Sequence, residues 1–484
     1  MGDPGFSTSL DPTDWGELRR DGHRMLDDMF DHLATLRDQP VWRAPPAGRF
    51  NVLRDTLPRE PTALRDVHAR FLNSVLPYSS GNAHPGFMGW VQGGGTPVGM
   101  LAEMLSAGMN ANLGGRHHMA IEVERQMVAW TRDLFGFPVS ASGLFVTGTS
   151  AANLMGVLVA RTRALGQPAR DRGLAAIGRH LTAYTSAAAH GCIAQAMEIS
   201  GLGREQLRVI AVDADHRIRT AALEQAIAED RANGFEPFLV IGTAGTVDVG
   251  AIDDLPALAG IARAERLHFH VDGALGALAV LAPELAPRMT GIEQADSLAF
   301  DWHKWGQVPY DSGFLLVRDG ELHRRTFAAE AAYLRRADRG LAGGDWWPCD
   351  YGPDLSRGFR ALKTWFTLMT YGADALGRSI AGTVSLAKML AERVASEPEL
   401  ELLGPVPLNI VCFGYRSANA DALNAAIVAD LHEAGRVAPS LTTIGGRTAI
   451  RAAIVNHRTA AEDVDALIAS VLALGRAART LIAA

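Results

Sequence analysis

Cysteine is scarce in this chain of 484 residues: Cys192, Cys349 and Cys412 are far apart and odd in number. Such a set does not supply the disulfide framework that small secreted proteins use. The N-terminal segment MGDPGFSTSLDPTDW also lacks the charged and then apolar pattern of a secretion signal. These absences indicate a reducing compartment, and we predict a cytoplasmic protein.

Long apolar runs and an excess of positive charge are missing as well. No uninterrupted apolar stretch approaches the length of a membrane span. The net charge is −7, and no block of lysine and arginine interrupts the sequence. A nucleic-acid-binding surface is therefore not expected. The sequence predicts neither a membrane nor a nucleic acid as a partner.

Strand and helix patterns alternate between Leu181 and Asp272. This alternation predicts a largely parallel sheet covered by helices, with ligands bound beyond the carboxyl ends of the strands. The chain is longer than a domain with a single hydrophobic core usually is, so more than one domain is expected. We expect three parts: an N-terminal helical arm over residues 1–78, a large α/β domain over 79–350 and a small α+β domain over 351–484.

A lysine follows a short apolar run in the stretch SLAFDWHKW, residues 297–305. The pattern predicts a buried strand that ends in the polar residues Asp301, His303 and Lys304. A desolvated lysine with a lowered pKa is the usual nucleophile toward a carbonyl cofactor. A lysine that simply extends to solvent past the strand end explains the same pattern.

Other polar residues favour the first interpretation. A cofactor that withdraws electrons through a pyridine ring needs a lysine for its aldehyde, a carboxylate for its ring nitrogen and an anchor for its phosphate. Asp272 ends a predicted strand, and Thr149–Ser150 begins an apolar helix whose free N–H groups favour phosphate. His190 could stack on the ring. An ordinary helix cap explains Thr149–Ser150 equally well.

A metal site is the alternative interpretation of the strand before Asp272. His268, His270 and Asp272 share one face of that strand. Three ligands at alternate positions of one strand rarely close a metal site by themselves. We therefore predict no metal.

Eight segments of the chain occur in an order that a known family shares: HPGFMGW, VTGTSAANL, AAAHGCIAQA, GTAGTVDVGAIDDL, HVDGALGA, DWHKW, RGFRALKTWF and RAAIVNHRTAAEDVD. With them the chain resembles, almost from end to end, the group II pyridoxal-phosphate-dependent amino-acid decarboxylases, the aromatic-L-amino-acid and glutamate decarboxylase family. The resemblance implies the PLP-dependent transferase fold type I, with a large, mainly parallel seven-stranded sheet domain. It also implies pyridoxal 5'-phosphate as cofactor and a homodimer with the site at the interface.

The resemblance implies a role for each site residue. Lys304 would bind the cofactor covalently, Asp272 would pair with its ring nitrogen, and His190 would stack on its ring. Tyr333, in EAAYL, would protonate Cα after carbon dioxide leaves. The catalytic set is thus Lys304, His190, Tyr333 and Asp272. The predicted cofactor-binding residues are Lys304, Asp272, Thr149, Ser150, His190, Thr246, His303 and Asp301.

Several positions depart from the family pattern or allow two interpretations. Asp301 and Trp302 stand where Asn-Pro is common, and Leu275 replaces an aromatic residue. A carboxylate near a phosphate is unfavourable unless it turns away or pairs with a donor. Arg357 and Arg360 could contact substrate or form structural ion pairs. An apolar pocket or core packing could explain Phe87, Trp90, Trp302 and Trp305.

We predict a carboxy-lyase that converts an aromatic or otherwise apolar L-amino acid to its amine and carbon dioxide. Two alternatives keep the same scaffold: oxidative deamination coupled to decarboxylation, which yields an aldehyde, and decarboxylation of an acidic or other polar amino acid. The HKW-type lysine block argues against a transaminase. The presence of Lys304, Asp272 and His190 argues against a catalytically silent protein with this fold.

Overall fold

The computed structural model describes residues 9–46, 48, 53–329 and 335–483. Its α-helices are α1 (Trp15–Ala34), α2 (Leu64–Ser74), α3 (Pro97–Met109), α4 (Met119–Leu134), α5 (Thr149–Leu165), α6 (Gln167–Arg172), α7 (Cys192–Ile199), α8 (Thr220–Ala232), α9 (Leu255–Glu265), α10 (Gly320–Phe327), α11 (Arg360–Tyr371), α12 (Ala373–Ser396), α13 (Ala420–Ala434) and α14 (Ala461–Ala483). Its strands are β1 (Phe87–Met88), β2 (Ser142–Val146), β3 (Leu181–Ser186), β4 (Leu207–Ile210), β5 (Glu236–Thr243), β6 (His268–Asp272), β7 (Ser297–Asp301), β8 (Gly313–Val317), β9 (Leu400–Leu402), β10 (Ile410–Tyr415), β11 (Ala438–Ile444) and β12 (Arg447–Ala453). Within these residues, we find no helix with the length and apolar character that crossing a membrane requires.

The larger sheet has seven strands in the order β2-β8-β7-β6-β5-β3-β4. Only the pairings that β8 makes with β2 and β7 are antiparallel, so the predicted, mainly parallel seven-stranded sheet is confirmed. Every residue of β6 and β7 is buried. Successive residues of β7 pack on opposite faces: Ala299 lies in a cluster with α5, whereas Leu298 and Phe300 belong to the main core.

Polar residues gather at the carboxyl edge of this sheet. Thr243 at the end of β5 is paired with Asp272 at the end of β6, and Asp272 is paired with Ala299 of β7. Two residues after Ala299, Asp301 ends β7. The start of α5 follows β2 at the same edge. This convergence places the polar residues that follow different strands within one region, as a parallel sheet requires.

The smaller sheet has five strands in the order β1-β11-β12-β10-β9. Its two-residue strand β1 comes from the N-terminal part of the chain and runs parallel to β11, with Phe87 opposite Ala438. Near β1, the Asn456 side chain donates hydrogen bonds to the carbonyl oxygens of Asn82, Ala83 and His84. The C-terminal sheet therefore fixes a segment that precedes the large sheet in sequence.

Both candidate arginines, Arg357 before α11 and Arg360 at its first position, form ion pairs. Arg357 is buried, and its guanidinium lies 2.6 and 3.0 Å from the carboxylate oxygens of buried Glu124. It also donates to the carbonyl oxygens of Leu113 and Phe145, each at 2.8 Å. Arg360 is partly exposed and lies 2.8 Å from Asp311. The contacts of Arg357 and Arg360 therefore agree with a role in structural ion pairs.

Replacing Arg357 by methionine should destabilise the fold strongly, because Glu124 would keep a buried carboxylate without its cation. We expect Arg357→Met to lower the free energy of unfolding by about 3–5 kcal/mol. The matched change Arg360→Met removes a more exposed pair and should cost less than about 1 kcal/mol. Urea unfolding followed by circular dichroism measures both; equal losses would contradict the assignment.

Candidate active site

A cavity of about 460 Å³ opens at the carboxyl edge of the larger sheet. Its lining includes seven of the residues predicted from the sequence: Thr149, Ser150, His190, Asp272, Asp301, His303 and Lys304. Thr246 is buried nearby and is not part of this lining, and Tyr333 lies outside the described residues. A larger open cavity of about 560 Å³, bordered by Asp253 and Asp254, contains none of the predicted residues.

Lys304 does not extend to solvent as an unpaired side chain. Its Nζ lies 2.8 Å from Oδ2 of Asp301, and its side chain is only 19% exposed. The backbone at Gly93 approaches the lysine loop so closely that a Cβ there would lie 2.5 Å from the Lys304 carbonyl oxygen. Glycine is therefore required at position 93, and the loop that carries Lys304 is covered from that side.

Asp272 presents a buried carboxylate at the end of β6. Its Oδ1 accepts a hydrogen bond from the Ala274 N–H at 3.1 Å, and its Oδ2 accepts one from Asn153 Nδ2 at 3.0 Å. Burial raises the pKa of Asp272, and the Ala274 N–H, the Lys304 charge and the Asn153 amide oppose that rise. A cation placed against this carboxylate would be strongly favoured, because the surroundings offer little water.

A chain of buried hydrogen bonds runs from Asp272 into the sheet. Asn153 donates to Asp272, so its Oδ1 is free to accept from Nε2 of His270 at 2.8 Å. His270 then accepts at Nδ1 from the Ser297 hydroxyl at 2.7 Å, and Ser297 accepts from Nε2 of His268 at 2.8 Å. Each donor in this chain points toward Asp272, so the carboxylate orders the whole series.

The same hydrogen bonds argue against the alternative interpretation of His268, His270 and Asp272 as metal ligands. The ring nitrogens that face Asn153 and Ser297 are committed to hydrogen bonds. Burial lowers the pKa of His268 to about 4 and that of His270 to about 3, so both rings are neutral at pH 7. Within the described parts of the chain, no group of three His, Cys, Asp or Glu side chains could hold a metal ion.

The start of α5 provides a place for an anion. Its first residue, Thr149, has a buried hydroxyl without a hydrogen-bond partner in the described structure, and the same is true of Thr243. Both residues line the cavity that contains Lys304 and Asp272. An unpartnered hydroxyl at a helix start, as Thr149 provides, fits a phosphate group, whereas Thr243 lies next to Asp272 in the sheet. The residues present thus fit pyridoxal 5'-phosphate, although Asp301 accepts the Thr149 N–H at 2.8 Å.

The remaining predicted residues have ordinary local contacts. His190 is exposed, and its Nδ1 accepts the Cys192 N–H at 3.2 Å. The hydroxyl of Thr246 accepts the Ala251 N–H at 2.9 Å. His303 accepts the Ser312 N–H at 3.0 Å, and burial lowers the pKa of its ring.

The aromatic pocket that the sequence suggested is not formed by three of its four candidates. Phe87, Trp302 and Trp305 are buried core residues, since Trp302 packs on Phe300 and Trp305 donates to Thr383. Trp90 does line the cavity. The apolar lining otherwise includes Val91, Val247 and Leu275.

Two functional neighbours were missed by sequence reasoning. Asn153 follows Thr149 by four positions, a helical spacing that places both on one face of α5. Cys192, two residues after His190, also lines the cavity. Burial raises the pKa of the Cys192 thiol to about 11, so the thiol is neutral. Helical spacing was thus an available signal for Asn153.

Comparisons with known proteins agree with this geometry. A family model described as the pyridoxal-dependent decarboxylase conserved domain matches residues 46–416. The aromatic-L-amino-acid decarboxylase of Bacillus atrophaeus is 31% identical over 471 residues, which cover 95% of each chain. Phenylacetaldehyde synthase of Arabidopsis thaliana is 28% identical, with 93% of this chain and 94% of the relative covered. The fold matches that of Oryza sativa TDC, solved with PLP and tryptamine, with a TM-score of 0.89, 24% identity and coverage of 97% and 99%.

The chain therefore belongs to the family of pyridoxal-dependent decarboxylases. It is a carboxy-lyase that acts on an amino acid and uses pyridoxal 5'-phosphate.

Removing the Asn153 amide should destabilise the protein, because His270 and Asp272 would each lose a buried partner. We expect Asn153→Ala to lower the free energy of unfolding by about 1–3 kcal/mol. The control Asn73→Ala, at an exposed position of α2, should change it by less than about 0.5 kcal/mol. Urea unfolding of the two variants decides the matter, and a neutral Asn153→Ala would refute the buried chain.

Proposed function

We propose that the substrate is an aromatic L-amino acid and that the products are its amine and carbon dioxide. The observation that carries this proposal is one cavity in which Lys304 and Asp272 lie beside an apolar wall that includes Trp90 and Leu275. Among the described residues that line this cavity there is no arginine, and its lysine is paired with Asp301. Such a lining favours an uncharged substrate side chain over an acidic one.

The cofactor, when bound, supplies an electron sink for the electrons released as the Cα–carboxylate bond breaks. Lys304 would hold it covalently, and Asp272 would keep a proton on its ring nitrogen. Thr149 and Ser150 would donate to its phosphate, His303 would lie beside Lys304, and Thr246 would lie under the ring near Asp272. His190 would lie against the ring face.

The final proton is proposed to come from Tyr333. Its phenol proton would be transferred to Cα after carbon dioxide leaves, and the phenolate would regain a proton from water, which yields the amine rather than an aldehyde. This step separates the proposed reaction from that of an aldehyde synthase on the same scaffold, and the resemblance of the EAAYL segment supports it.

The purified protein, reconstituted with pyridoxal 5'-phosphate, should show the visible absorbance band of a lysine-bound cofactor. Lys304→Ala should abolish that band and decarboxylation, whereas Lys388→Ala on α12 should preserve both. A protein without the band after reconstitution would contradict the proposed site.

A screen of L-amino acids for carbon dioxide and amine release, with oxygen uptake recorded, tests the substrate. We expect turnover of tryptophan, tyrosine or phenylalanine without hydrogen peroxide. Peroxide and ammonia would indicate the aldehyde-forming reaction, and turnover of glutamate alone would indicate an acidic substrate.

We infer that the protein is a homodimer with the site at the interface. Helix α1 has no buried residue in this chain, although Trp15 and other apolar side chains lie along it. Helices α2 and α3 likewise expose Phe71 and Met104. Exposed apolar side chains on neighbouring N-terminal elements favour burial against a second copy.

Charged substitutions on these helices should weaken the dimer. We expect Phe71→Glu and Met104→Glu to shift the protein toward monomer and to reduce activity, as measured by sedimentation equilibrium and turnover. Val139→Glu introduces the same charge at an exposed site and should leave both unchanged. Dimers of equal stability in all three variants would contradict this interface.

We also propose the division of the chain into three parts at residues 1–78, 79–350 and 351–484. Strand β1 belongs to the second part in sequence but pairs with the sheet of the third part. The three free cysteines, Cys192, Cys349 and Cys412, support a cytoplasmic location.

A further inference from the structure

The carboxylate of Asp301 lies at the start of α5, where a phosphate would bind. Its Oδ1 accepts the Thr149 N–H at 2.8 Å. Its Oδ2 lies 2.8 Å from Lys304 Nζ and 3.6 Å from His303 Nε2. The side chain is buried, so few water molecules can screen it. Asp301 thus fills part of the electrostatic role that a bound anion would have.

Asp301 remains ionised at neutral pH. Burial alone would raise the pKa of this carboxyl group, but the Lys304 charge, the neighbouring His303 and the hydrogen bond from Thr149 hold it below its usual range. The groups that face the carboxylate therefore stabilise its negative charge, and ordinary acidification does not remove that charge.

The helix start must consequently serve two anions. The first N–H groups of a helix attract negative groups, and Asp301 already uses that of Thr149. The Thr149 hydroxyl, buried and without a partner in the described structure, lies in the lining of the same cavity. A phosphate there would lie beside an ionised carboxylate, and the two charges would repel each other.

We propose that Asp301 is an internal competitor for the phosphate of the cofactor and thereby sets how tightly the cofactor is held. The inference rests on the proposed function, because it requires pyridoxal 5'-phosphate in this cavity. Asp301 acts through charge and through the Thr149 N–H, so it is a positioning residue. An asparagine at position 301 would keep an acceptor for that N–H and would no longer repel the phosphate.

Affinity measurements with and without the phosphate test this idea. Dissociation constants of pyridoxal 5'-phosphate and of pyridoxal are obtained by absorbance titration of cofactor-free wild type and Asp301→Asn. In Asp301→Asn, the loss of the carboxylate beside Lys304 should change the affinities for both ligands equally. The loss of repulsion between that carboxylate and the phosphate should change only the affinity for pyridoxal 5'-phosphate. We expect the preference for pyridoxal 5'-phosphate over pyridoxal to rise about tenfold or more. Inorganic phosphate, titrated calorimetrically, should also bind more tightly to the variant.

Controls separate this mechanism from a general effect. Asp311→Asn removes a carboxylate that pairs with Arg360, and it should leave the preference unchanged. Asp301→Ser, a second neutral variant, should raise the preference as Asp301→Asn does, and circular dichroism checks that both fold. Equal changes for the two ligands would overturn the inference while leaving the proposed function intact. Absence of any cofactor band in wild type and variants would instead overturn the proposed function.

Discussion

The ammonium group of Lys304 lies within the molecule because a carboxylate is 2.8 Å away. A largely buried charge without a partner is costly, so the contact with Asp301 stabilises the lysine in this position. The same carboxylate accepts the first N–H of α5, which fixes the helix start relative to the end of β7. One side chain therefore aligns the lysine, the helix start and the strand, and the geometry of the cavity depends on it.

Much of the fold could be predicted because parallel strands have a local signature. The apolar runs that end at Asp272 and Asp301 are recognisable without knowledge of their neighbours. Gly313–Val317 was not predicted, since an antiparallel strand within such a sheet depends on distant pairing with β2 and β7. The pairing of Phe87–Met88 is less predictable still, because two residues form a strand only when a partner strand defines them.

The site was predictable to the extent that the sheet geometry dictates it. Polar residues that follow parallel strands meet at one edge, so His190, Asp272 and Lys304 could be grouped from the sequence. The individual side-chain contacts within the site could not be predicted from the order of the strands. The contact of Asp301 with Thr149 depends on the relative position of a strand and a helix, and Trp302 lies in the core because the chain turns directly after β7.

The pairing of β1 with β11 has a consequence for synthesis on the ribosome. The segment that brings Gly93 against the Lys304 loop is anchored by Asn456 and by a strand near the end of the chain. A nascent chain can complete the larger sheet before those residues emerge, but it cannot yet fix this cover. Cofactor capture is therefore expected to follow translation, after the last strands have left the exit tunnel.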